Sequence, residues 1–107
     1  MGLTEADAKA LVNEGVLSAD YDEHKEAIEF YDKALKIIET SETYLNKGIS
    51  LVELEKYDDA LSSYEKAIEV SPGYADAWYN KAELLKHKGQ DEEAEACFSK
   101  VKELEGE

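Results

Sequence analysis

The chain repeats itself. Shifted by 34 residues, Tyr44 falls on Trp78, Asn46 on Asn80, Lys47 on Lys81 and Leu51 on Leu85. The agreement continues through Ala60 with Ala94, Tyr64 with Phe98, Lys66 with Lys100 and Glu69 with Glu103. A shift of 33 brings out an earlier copy, in which YDKAL (Tyr31–Leu35) matches YEKAI (Tyr64–Ile68). In its first half, Leu11, Asn13 and Gly15 stand opposite Tyr44, Asn46 and Gly48. The copies span 8–40, 41–74 and 75–107 behind a lead of 1–7, and together they make one domain over 1–107. A unit this short cannot bury its apolar face alone, so neighbouring copies must stack into one continuous core.

Each copy reads as two amphipathic helices. In the second copy Tyr44, Leu45, Gly48, Leu51 and Val52 share one helical spacing, and Ala60, Leu61, Tyr64, Ala67 and Ile68 share the next. LEKYDD (Leu54–Asp59) turns between them, and Ser71-Pro72-Gly73 ends the pair because proline cannot continue a helix. With six Gly and one Pro in the chain, and Ala, Leu, Glu and Lys abundant, an all-α fold is expected. The pattern predicts helices at 5–20, 23–38, 41–54, 57–70, 74–87 and 91–105. Thr4, with Asp7 three residues on, supplies an N-terminal cap for the first.

Period, helix pair and residue pattern together resemble the tetratricopeptide repeat, written W-x₂-L-G-x₂-Y, then A-x₃-F, then A and P. The second copy matches with Tyr44, Gly48, Leu51, Ala60, Tyr64, Ala67 and Pro72. The third matches with Trp78, Ala82, Leu85, Ala94 and Phe98, with Val101 in place of the later alanine. The first keeps Leu11, Gly15, Ala27, Tyr31 and Ala34, but Ser18 and Glu39 replace the tyrosine and the proline. All three depart at the leucine, which is Glu14, Lys47 or Lys81. The resemblance implies a right-handed superhelix of three antiparallel helix pairs, six helices in all.

In a stacked array the second helix of each copy should touch the next. Ile28 with Leu35, and Leu61 with Ile68, provide that apolar contact, whereas the third copy carries Glu95 and Lys102 there. The third copy is thus expected to close the array.

The resemblance also implies a site. Members of the family hold peptides on the concave face formed by the first helices. Carried over residue by residue, that face takes Lys9, Val12, Asn13, Val16 and Ala19 from the first copy. It takes Glu42, Leu45, Asn46, Ile49 and Val52 from the second, and Asp76, Tyr79, Asn80, Glu83 and Lys86 from the third. An asparagine amide donates and accepts at once, which suits a peptide backbone. Asn13, Asn46 and Asn80 would form such a ladder, or would instead brace neighbouring helices. Some members clamp the acidic tails of chaperones with Lys, Asn and Arg. Here Asn46 alone matches that clamp, and Val12, Val16, Asp76 and Asn80 fill the other four places, so clamp-type binding is not expected.

A net charge of −14, from 26 acids against 12 lysines and no arginine, opposes nucleic acid and anionic membranes. It favours a ligand that is apolar with neutral or basic flanks. No apolar run reaches the ~18 residues of a membrane span. MGLTEADAKA lacks the regions of a secretory signal, and one cysteine forbids an internal disulfide, so a cytoplasmic setting is expected. His24, His87 and Cys97 make no metal or nucleophile constellation in sequence. The histidines read as solvated surface groups and the cysteine as a partly buried, inert thiol. Neither a cofactor nor enzymatic activity is expected. The leading reading is a peptide-binding interaction module that is itself a monomer. The alternative is a scaffold that self-associates, which light scattering at rising concentration would distinguish.

Overall fold

A computed structural model describes residues 2–106. Six helices follow one another: α1 (Glu5–Asp20), α2 (His24–Ile37), α3 (Ser41–Glu53), α4 (Tyr57–Val70), α5 (Ala75–His87) and α6 (Asp91–Leu104). No strand occurs among the described residues. Each helix packs chiefly on its partner within a copy, α2 and α4 pack also on the first helix of the next copy, and α3 also touches α1 and α5. The molecule measures 46 × 28 × 19 Å, an elongated stack and not a sphere.

Small residues let the helices of a pair approach. Ala27, Ala60 and Ala94 are buried in α2, α4 and α6, as are Ala34, Ala67 and Val101 one further spacing along. Gly15 and Gly48 face the rings of Tyr31 and Tyr64 so closely that a Cβ on either would lie 2.5 Å from a ring carbon. The third copy pairs Ala82 with Phe98 instead, and Phe98 turns partly outward to meet Tyr79 edge-on, at 5.8 Å between centroids. The two glycines stand against buried tyrosine rings, whereas Ala82 shares its cluster with a half-buried Phe98.

The lysines that stand where the repeat pattern has leucine are joints between copies. Lys47 Nζ lies 2.7 Å from Asp32 on α2, and Lys81 Nζ lies 3.4 Å from Glu65 on α4. Asp32 and Glu65 are themselves equivalent positions, so the two junctions repeat one ion pair. Partly exposed pairs of this kind contribute up to about 1 kcal/mol each. The aromatic one helical turn before each lysine anchors to the preceding loop. Tyr44 donates its hydroxyl to the Glu39 carboxylate, and Trp78 Nε1 donates to the Pro72 carbonyl at 2.8 Å. That hydrogen bond, before any burial, pushes the Tyr44 hydroxyl up to about 12.

Thr4 caps α1 reciprocally with Asp7, as the sequence suggested: the Asp7 amide donates to Thr4 Oγ1, and the Thr4 amide donates to Asp7 Oδ2 at 2.7 Å. His24 departs from expectation. It is a joint and not a solvated surface group: its side chain is 13% exposed, and Nδ1 lies 3.1 Å from the oxygen of buried Ser50 on α3. His87 is exposed, with its ring against Tyr57. Cys97 is buried, and burial pushes its thiol up.

The three turns within copies close identically. The amides of Glu23, Lys56 and Gln90 donate to the carbonyls of Ser18, Leu51 and Leu85 at 2.8–2.9 Å. The residue before each has positive φ: Asp22 at 61°, Glu55 at 60° and Gly89 at 81°. Only the third copy places glycine where a side chain is strained. Glu55→Gly should therefore stabilise the domain by about 0.5–1 kcal/mol, because relief of strain exceeds the entropy glycine adds to the unfolded chain. Urea denaturation checks this, and a lowered midpoint would contradict it.

At the far end Glu95 and Lys102 are exposed on α6, while Ile28 and Leu61 pack into the neighbouring copy's core as expected.

Candidate functional site

Two cavities take in residues of the first helices where successive copies meet. The larger, about 600 Å³, lies between the first and second copies. Lys9, Val12, Asn13 and Val16 of α1 border it, with Glu42 and Asn46 of α3 opposite. Six residues assigned to the concave face from sequence therefore meet there. Their apolar members continue into Ala34, at the end of α2, and Ile38, just past it, neither of which the sequence reading included because it considered first helices alone. The second cavity, about 250 Å³, lies between the second and third copies. Val52, Asn80 and Glu83 border it, joined by Tyr57, Tyr64, Leu84 and His87. The signal for the two tyrosines was their recurrence on α4, which reads equally well as core.

The remaining assigned positions fall outside both cavities. Ile49 is 40% exposed and Tyr79 48% exposed, and Asp76 and Lys86 are exposed. Leu45 is a correction. It is 6% exposed and belongs to the core cluster with Leu51, Ala60, Tyr64 and Leu84, so it has no surface to offer a ligand. The equivalent Tyr79 is exposed because copy three lacks a neighbour on one side, while α3 has helices on both.

The asparagines divide. Asn80 Nδ2 donates to the Asp76 carbonyl of its own helix at 2.8 Å, and the residue borders the second cavity with its oxygen and second N–H not engaged by that bond. Asn13 and Asn46 border the first cavity from facing helices. Burial, reinforced by the charge of Glu53, pushes the Tyr64 hydroxyl up to about 12. No helix among the described residues is long and apolar enough to cross a membrane.

Antiparallel helix pairs stacked with a common inner face define the class: a helical-repeat solenoid. The chain belongs to the tetratricopeptide repeat family, whose models match residues 51–106 and residues 8–40. Over 31 residues it is 55% identical to an uncharacterized protein of Methanocaldococcus jannaschii, a stretch that is 29% of this chain and 36% of that protein. The first TPR of Spaghetti (RPAP3), solved bound to HSP90 peptide SRMEEVD, is similar with a TM-score of 0.90 at 22% identity, over 96% of this chain and 82% of that one. MamA is similar with a TM-score of 0.86 at 21% identity, over 92% of this chain and 58% of that one. This chain thus spans little more than half of MamA, and these structural likenesses carry the fold.

Proposed function

We propose that this domain is a non-catalytic protein-interaction module that holds a peptide segment or a helix of a partner protein along its inner face. The observation that carries the reading is the cavity of about 600 Å³ lined by Val12, Val16, Ala34 and Ile38 together with Asn13 and Asn46. Apolar walls choose side chains, while an amide that donates and accepts serves a peptide backbone. A similar fold has been solved with a peptide bound, which supports the same mode here. The ligand chemistry we infer differs from that peptide's. Val12 and Val16 are apolar, Asp76 is acidic and Asn80 is neutral, so a terminal carboxylate finds no lysine or arginine there. An apolar segment with neutral or basic flanks suits the inner face better.

Peptides selected from a random display library on the immobilised domain provide the test. Val16→Glu and Ile49→Glu, both at exposed positions, should weaken the selected peptides about tenfold each while circular dichroism stays unchanged. SRMEEVD should show no saturable binding in fluorescence polarisation. Micromolar affinity for that peptide, or indifference of the selected peptides to both substitutions, would overturn the proposal.

A further inference from the structure

We infer that the cavity between the second and third copies is a pocket for a cationic side chain, a lysine or arginine carried by the peptide in the groove. The inference rests on the groove reading above and adds to it the one residue class the ligand must present.

The walls are aromatic and acceptor-rich. Tyr57 and His87 stand with ring centroids 5.0 Å apart and planes at 53°, which leaves a tilted pair of faces. Tyr64 reaches the same cavity from α4, and its hydroxyl lies within the field of Glu53. Glu83 borders the opening as an exposed carboxylate, and Asn80, with one amide hydrogen donated to the Asp76 carbonyl, keeps its oxygen as an acceptor. No lysine lines the cavity. Of the lysines near it, Lys81 pairs with Glu65 at 3.4 Å and Lys88, just past α5, with Asp58 at 2.6 Å, while Lys86 is exposed and does not line the cavity. An anion entering would meet Glu83 and a chain of net charge −14. A neutral aliphatic chain would desolvate the carboxylate and gain nothing for it. A cation on an apolar stem suits every wall: ring faces for the charge, acceptors for its N–H groups, and Val52 with Leu84 for the stem.

The equivalent place one junction earlier has different chemistry. His24 stands where Tyr57 does and is closed onto Ser50 at 3.1 Å, Ile49 replaces Glu83, and Glu53 replaces His87. The second junction sets the Tyr57, Tyr64 and His87 rings beside the exposed Glu83, whereas at the first His24 is engaged by Ser50 and the exposed carboxylate, Glu53, stands at the place of His87. The cavity of about 250 Å³ takes one side chain and no more of the peptide.

The test titrates the ¹⁵N-labelled domain with the N-acetyl N-methylamides of lysine, arginine and norleucine. The lysine and arginine probes should shift the amides of Asn80, Glu83 and His87 saturably, and norleucine should bind at least about fivefold more weakly. Glu83→Gln, at an exposed position, should bring lysine close to norleucine, and Ile49→Glu should leave the lysine titration unchanged. Equal response to lysine and norleucine would overturn the inference, and so would shifts that ignore Glu83→Gln or scatter over the acidic surface. Because these probes need no peptide, the pocket is read independently of the groove. Selected peptides that bind the groove without a basic residue would sink the pocket alone.

Discussion

Tyr64→Ala should cost the domain about 3–5 kcal/mol, enough to leave a stack of three copies largely unfolded. Tyr64 is 2% exposed, packs closely on Gly48 and joins the cluster that ties the second copy to Leu84 of the third. Its loss opens a cavity at the one copy that has neighbours on both sides. The companion change gives the argument its sign. In an ordinary helix Gly→Ala stabilises by up to about 1 kcal/mol. Gly48→Ala should instead destabilise by about 1–3 kcal/mol, because the new methyl would sit 2.5 Å from Tyr64 Cε1 and a ring only 2% exposed must shift out of its packing to admit it. In the Tyr64→Ala background the same substitution should become stabilising. Urea unfolding followed by circular dichroism measures all three variants. A neutral or stabilising Gly48→Ala in the parent chain would show that the ring can move aside, and would sink the close-packing account.

The repeat period made the fold legible, because spacing alone dictates which residues share a face. The helix ends expected from sequence fall within about a residue of those observed. What stayed hidden depended on contacts between copies. Lys47 and Lys81 looked like departures from a leucine, and only their approach to Asp32 and Glu65 shows them as joints. His24 looked like a surface group because its partner, Ser50, is distant in sequence. The strain at Asp22 and Glu55 was equally silent. Acidic residues in a polar turn are unremarkable until Gly89, at the equivalent place, shows which backbone geometry all three share. The groove was half legible. Periodicity marks the side of a helix that faces inward, yet it cannot tell a face that meets solvent from one that meets the next copy.

Leu45→Glu puts that difference to measurement. Read from sequence, Leu45 is the neighbour of Asn46 on the concave face, and a carboxylate there should abolish ligand binding and leave the fold intact. Read from the structure, it is a core residue 6% exposed, packed with Leu51, Ala60, Tyr64 and Leu84. Glutamate there would remove the packing and bury an unpaired charge, at a cost of about 3–5 kcal/mol or more. The expected result is loss of helicity together with loss of binding. Ile49→Glu, one turn further along the same helix and 40% exposed, should change stability by no more than about 0.5 kcal/mol. The contrast follows from the stack: α3 is held between α1 and α5, so the inward edge of the middle copy is consumed by its neighbours. A Leu45→Glu protein that melts like the parent would show that this edge is free, and the groove would then be continuous from Asn13 to Asn80.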